Sequence, residues 1–119
     1  MNLDEAVQAH AGWKMKLSGY LRHPDHSINA ADAGRDDRCP LGQWLHGEAK
    51  KTLSALPEYK TLIAEHARFH RAVGQAVQQA DAGKNLEEER LLGPDSDFAD
   101  SSRNIVLAIV QLKKKAKVE

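Results

Sequence analysis

Six histidines and one cysteine are the residues of this 119-residue chain best suited to chemistry. They are His10, His23, His26, His46, His66, His70 and Cys39. Imidazole nitrogen and thiolate sulfur are the donors that zinc takes into closed tetrahedral sets, at roughly 2.0–2.1 Å and 2.3 Å. A single cysteine excludes an internal disulfide. It serves as a small buried hydrophobe, a reactive thiol or a metal ligand.

Position separates the histidines. His66 and His70 are four residues apart, so on a helix they project from one face a turn apart. Such a pair alone is weak evidence. Both, however, fall in an apolar stripe, as does His10 one turn before Trp13. Three histidines facing a core each need a buried partner, because an unsatisfied polar group costs about 1–3 kcal/mol. A shared cation would satisfy one nitrogen of each, and Cys39 would complete a set of three imidazoles and one thiolate. These four come from distant parts of the sequence, so metal binding would contribute directly to folding. The site would carry net positive charge, which calls for a nearby carboxylate. Asp36, Asp37 and Glu65 are the candidates. His23 and His26 are expected to be solvated, and His46 to sit at a surface or helix end. Trp13 and Trp44 are expected as core anchors walling the site.

The elements that must position these residues read as helices. Leu3, Ala6, Val7, His10, Trp13, Leu17, Tyr20 and Leu21 recur at spacings of three and four. They predict a first helix about 30 Å long, capped by Asn2 or Asp4 and ending near His23 because Pro24 follows. Residues 23–38 read as a polar loop. CPLGQWLHG (residues 39–47) predicts a short helix, with Pro40 at its first position and Gly47 at its end. A long helix follows from Pro57 to about Ala82, on a stripe of Tyr59, Leu62, Ile63, His66, Phe69, His70, Val73, Val77 and Ala80, with Gly83 ending it. Asn85 can cap a short helix over LEEERLL. Asp95 or Ser96 starts the last helix, with a stripe of Phe98, Ser102, Ile105, Ile109, Leu112 and Ala116. Its lysine-rich end suits the helix dipole. No segment alternates with period two. The expected fold is all-α and four-helix-bundle-like, with an additional short helix carrying the cysteine segment, in a single domain over 1–119.

Composition narrows the function. Seventeen acidic and seventeen basic side chains cancel, which argues against nucleic acid and anionic membranes as partners. No apolar run approaches the roughly 20 residues of a membrane span. The start, MNLDEAV, has no apolar core of a secretory signal, so a cytoplasmic location is expected.

Three segments together carry a family resemblance: AHAGWKMKL (9–17), DRCPLGQWLHG (37–47) and HARFHRAV (66–73). They resemble the chemoreceptor zinc-binding (CZB) domain, whose pattern is a His three residues before a Trp, a Cys in C-x-x-G-x-W-[L/I], and an H-x-x-x-H pair. The resemblance implies zinc at His10, Cys39, His66 and His70. It implies a bacterial regulatory role in chemotaxis receptors or diguanylate cyclases, and in some members a response to hypochlorous acid through the zinc-bound cysteine, here Cys39. It also implies a helix-mediated homodimer and a signalling partner. No signalling coiled coil, methyl-accepting region or cyclase domain occurs in these residues.

Other functions fit less well. A catalytic zinc keeps three protein ligands and an open position, whereas four candidates close the shell here, so no enzyme is expected. A purely structural zinc staple remains an alternative. A hemerythrin-like di-iron bundle would need bridging carboxylates at helical spacing that the sequence does not supply.

Overall fold

The computed structural model describes residues 1–83 and 88–116. Their regular structure is helical, in seven segments: α1 (Leu3–Arg22), α2 (Ala30–Ala33), α3 (Pro40–His46), α4 (Glu48–Leu53), α5 (Pro57–Asp81), α6 (Glu88–Leu92) and α7 (Asp97–Ala116). No strand occurs among the described residues. The all-α, bundle-like expectation holds.

Local signals account for the ends of the long helices. The Asn2 side chain accepts from the Glu5 N–H at 3.1 Å, and Asp4 and Glu5 lie in the positive first turn of α1. Pro57 opens α5, where its missing N–H costs nothing. The Ser96 hydroxyl accepts from the Ala99 N–H at 3.1 Å and caps α7. The Asn85 cap expected for the short helix lies outside the described residues.

α1 and α5 run in the same direction. His10 meets His66 near one end, and the Tyr20 hydroxyl donates to Asp81 at 2.5 Å near the other. α7 runs against both: Phe98 stacks on Phe69 with centroids 5.0 Å apart, and Lys113 pairs with Asp4 at 2.8 Å. Two parallel helices in succession need a connection that returns the length of a helix, about 30 Å at 1.5 Å per residue. Residues 23–56 make that return and bring Cys39 to the α1–α5 seam.

This return is more ordered than the sequence suggests. The polar stretch 23–38 contains the one-turn helix α2, begun where the Asn29 side chain accepts from the Asp32 N–H at 2.9 Å. α4 is a further helix without a sequence expectation.

The core runs along the seam of the three long helices, with Leu3, Leu17, Leu62, Phe69, Val73, Val77, Ile105, Ile109 and Leu112 buried. On α7 the buried serine is Ser101 rather than Ser102. The Ser101 hydroxyl donates to the Asp97 carbonyl at 2.7 Å, which removes the cost of burying it. Trp13 and Trp44 are half-buried against the core. No described helix is long and apolar enough to cross a membrane.

Candidate metal centre

His10 lies on the buried face of α1, and its Nδ1 is 2.7 Å from the Ala6 carbonyl one turn back. His70 lies on α5, and its Nδ1 is 2.9 Å from the Ala33 carbonyl at the end of α2. A carbonyl only accepts, so in both rings Nδ1 carries the proton and donates. That leaves the Nε2 lone pair of each ring bare and pointing away from the backbone partner.

α2 reaches His70 because two glycines meet. A Cβ on Gly74 of α5 would lie 2.8 Å from the Gly34 Cα and 3.2 Å from the Ala30 carbonyl oxygen. A bare backbone at Gly74 admits this approach, whereas a Cβ on Gly34 would meet Gly74 at an ordinary 3.5 Å.

Cys39 is the N-cap of α3, with extended backbone and Pro40 at the first helical position. Its Sγ accepts from the Gly42 N–H at 3.4 Å. Gly42 has a second duty. A Cβ there would fall 1.6 Å from the Asp36 carbonyl oxygen, inside the backbone of the strand of chain that leads into Cys39. The C-x-x-G spacing is therefore a packing requirement that fixes the direction of the thiol.

The four side chains converge. His66 Nε2 is 3.0 Å from His10 Nε2 and 3.1 Å from His70 Nε2. Cys39 Sγ is 3.3, 3.6 and 3.8 Å from the Nε2 atoms of His66, His70 and His10. All four donor atoms lie within 4.8 Å of one another. A tetrahedron built on zinc–nitrogen distances of ~2.0 Å and a zinc–sulfur distance of ~2.3 Å has N–N edges of about 3.3 Å and N–S edges of about 3.5 Å. Five of the six donor–donor distances lie within about 0.3 Å of those edges, and the sixth, between His10 and His70, is at most 4.8 Å.

Electrostatics point the same way. Burial holds all three imidazoles below the ordinary histidine range. His66 goes furthest, down to about 2, through burial and the neighbouring His70 and His10. Neutral rings thus place at least two bare lone pairs around one point. Burial pushes the Cys39 thiol up, against the pull of the Gly42 and Leu41 N–H groups. A divalent cation reverses that balance by binding the thiolate outright. His66 Nδ1 is buried with no hydrogen-bond partner among the described residues. The donor set fits a zinc ion: soft sulfur, neutral nitrogen, five spacings close to tetrahedral edges, and two rings already fixed in the required tautomer.

The sequence model of the chemoreceptor zinc-binding domain (CZB) matches residues 10–77, more than half of the chain. The chain belongs to the CZB family. No match was found among curated proteins or solved structures. The CZB match opens on His10 and takes in Cys39, His66 and His70, so family and side-chain cluster coincide along the sequence.

The remaining sequence candidates fall outside this cluster. His23 and His26 are exposed, and His26 lies 3.6 Å from Asp81. His46 ends α3 and meets Asp36 at 2.9 Å. The carboxylates considered as supports for the site are engaged elsewhere: Asp36 with His46, Asp37 with Arg35, and Glu65 with Arg68 and Asn104. The groups that orient the CZB rings are the carbonyls of Ala6 and Ala33. Ala6 could have been found from the sequence, since it stands four residues before His10 on a helix. Ala33 could not, because only the fold brings it to His70.

Proposed function

We propose that this CZB domain is a zinc-responsive regulatory module in which His10, Cys39, His66 and His70 bind one zinc ion. The observation that carries this reading is the convergence of four donor atoms from α1, the start of α3 and α5, with the protons of two rings held by backbone carbonyls. Bound zinc would supply a closed, non-catalytic shell that clamps these three elements. Four protein ligands leave no position for an activated water, so the site has no hydrolytic role.

Loss of the clamp is the signal in this reading. Chelation, or oxidation of Cys39, frees the start of α3 from α5 and changes helix packing. Cys39 is half-buried and lines grooves on either side of Trp13, so a small oxidant reaches it. With hypochlorous acid, sulfur gives up two electrons, the S–O bond forms and chloride leaves. The altered packing passes to a chemotaxis-type or cyclase-type signalling partner, or to a second copy of the chain, in the bacterial cytoplasm.

Elemental analysis of untagged protein tests the site. We expect one zinc per chain in the wild type and near-complete loss in Cys39→Ala and His70→Ala. Full zinc in both variants would remove the site. A permanent structural staple is the second reading, favoured by the closed shell. Zinc exchange in the cellular range supports sensing, and binding far tighter than cellular free zinc supports the staple.

A further inference from the structure

The three rings of the centre are not equivalent. His10 and His70 each donate Nδ1–H to a backbone carbonyl, so the fold sets their tautomers and leaves their Nε2 lone pairs bare. No carbonyl sets the tautomer of His66. The residue is fully buried, and its Nδ1 meets no donor or acceptor among the described residues. Its Nε2 faces both bare lone pairs, 3.0 Å from His10 Nε2 and 3.1 Å from His70 Nε2. With a lone pair on His66 Nε2 as well, three lone pairs would crowd together at hydrogen-bond distance. A shared cation removes that repulsion in one way. A proton on His66 Nε2 relieves it in another, by turning one contact into an N–H···N hydrogen bond.

Ring geometry selects the acceptor. His10 offers the nearer nitrogen, yet its ring centroid is the farther one, 4.9 Å from His66 against 4.5 Å for His70. A short nitrogen contact with a wide ring separation lies closer to the ring planes, where an imidazole N–H and lone pair point. His70 Nε2 then takes a proton from elsewhere. Cys39 Sγ lies 3.6 Å from it, and a thiol with no metal bound carries its proton at neutral pH. Two donors, His66 Nε2–H and Cys39 S–H, thus meet two acceptors, His10 Nε2 and His70 Nε2.

We infer that His66 is the switching ring of the centre: without zinc it carries its proton on Nε2 and donates to His10, and zinc uptake leaves it protonated on Nδ1. The ring is neutral in both forms. One proton leaves Nε2 for solvent and one arrives from solvent at Nδ1, so the ring releases none. The Cys39 thiol proton is the one given up. This inference rests on the zinc reading and deepens it. The zinc-free centre becomes a second bonded arrangement, in which the His66–His10 bond joins α5 to α1 and the Cys39–His70 bond joins the start of α3 to α5. Losing zinc trades four ligand bonds for two hydrogen bonds, one of them from a weak thiol donor, so α3 is held most loosely. Binding zinc in turn leaves the His66 Nδ1–H buried without an acceptor, which makes His66 the least supported of the three imidazole ligands.

Long-range proton–nitrogen correlation spectra of isotope-labelled histidine rings test the switch, because they separate a protonated ring nitrogen from a bare one. The sample is the full chain at neutral pH, first with chelator and then with zinc, with zinc content measured on both. With chelator, His10 and His70 are expected to be protonated on Nδ1 and His66 on Nε2, with a coupling across the hydrogen bond from His66 Nε2 to His10 Nε2. With zinc, all three rings are expected to be protonated on Nδ1 and that coupling to be lost. His66 protonated on Nδ1 in chelator, or three rings alike there, overturns the switch. A coupling to His70 Nε2 instead overturns the choice of acceptor. One bound zinc with His66 still protonated on Nε2 overturns the switch and removes His66 from the ligand set. A chain that takes up no zinc yet shows the chelator pattern refutes the metal reading and leaves the His66–His10 bond standing.

Discussion

At the scale of single residues, the centre depends on how precisely the backbone aims each donor. His10 and His70 are fixed by carbonyls, and Cys39 by the start of a helix whose third residue has no room for a side chain. Gly42 gives the sharpest test. A methyl group there collides with the Asp36 carbonyl, which is backbone and cannot rotate away. Overpacking of this kind costs about 1–3 kcal/mol. Gly42→Ala is expected to lower the melting temperature and to weaken zinc binding by displacing Sγ, although no donor has been changed. Thermal melts and competitive zinc titration measure the two effects. Zinc affinity equal to wild type would show that the Asp36–Gly42 contact does not aim the sulfur.

At the scale of elements, the long helices were legible because their stripes and caps agree. Asn2, Pro57 and Ser96 mark the starts that the structure has, and His10, Cys39, His66 and His70 meet as the sequence suggested. The short elements were not legible. α2 is one turn, too short to show periodicity, and its Asn29 cap reads equally well as a turn residue. α4 is six residues with a single buried position, Ala49. Phe98, Ile105, Ile109 and Leu112 of the α7 stripe are buried as expected, and only its serine differs, because Ser101 and Ser102 are chemically alike and only packing distinguishes them. α2 nevertheless matters to the site, since it supplies the carbonyl for His70. Gly74→Ala separates the two roles of α5. Alanine favours the helix by about 1 kcal/mol over glycine, while its methyl drives α2 away from the Gly34 contact. Stability of the zinc-free protein should therefore change little, and zinc affinity should fall roughly 10–100-fold, as when a ligand's outer hydrogen bond is lost. Unchanged affinity, read by the same competitive titration, would mean that Ala33 does not orient the His70 ring.

At the scale of the whole molecule, the elements are held by different forces. α5 and α7 share Phe69 and Phe98, and Arg68 of α5 pairs with Asp97 and Asp100 of α7 at 2.8 and 2.7 Å. Both carboxylates push the Arg68 guanidinium further up, so its charge is constant across the working range. None of these contacts involves a metal donor. α1 and the return segment 30–47 meet α5 at the four-donor cluster, through His10, Cys39 and the Ala33–His70 hydrogen bond, besides the Gly34–Gly74 approach and the Tyr59–Leu45 hydrogen bond. Taking zinc away leaves neutral rings and a thiol crowded at 3.0–3.8 Å, where only part of the lone pairs can find a proton. The destabilisation should therefore be local before it is global. Amide hydrogen exchange with and without chelator is expected to quicken first in the opening turns of α1 and across residues 30–47, while the α5–α7 pair keeps most of its protection. Uniform loss of protection would make zinc a determinant of the whole fold and favour the staple. No change anywhere would mean that the cluster is held by packing alone, and that removing its metal sends no signal through the helices.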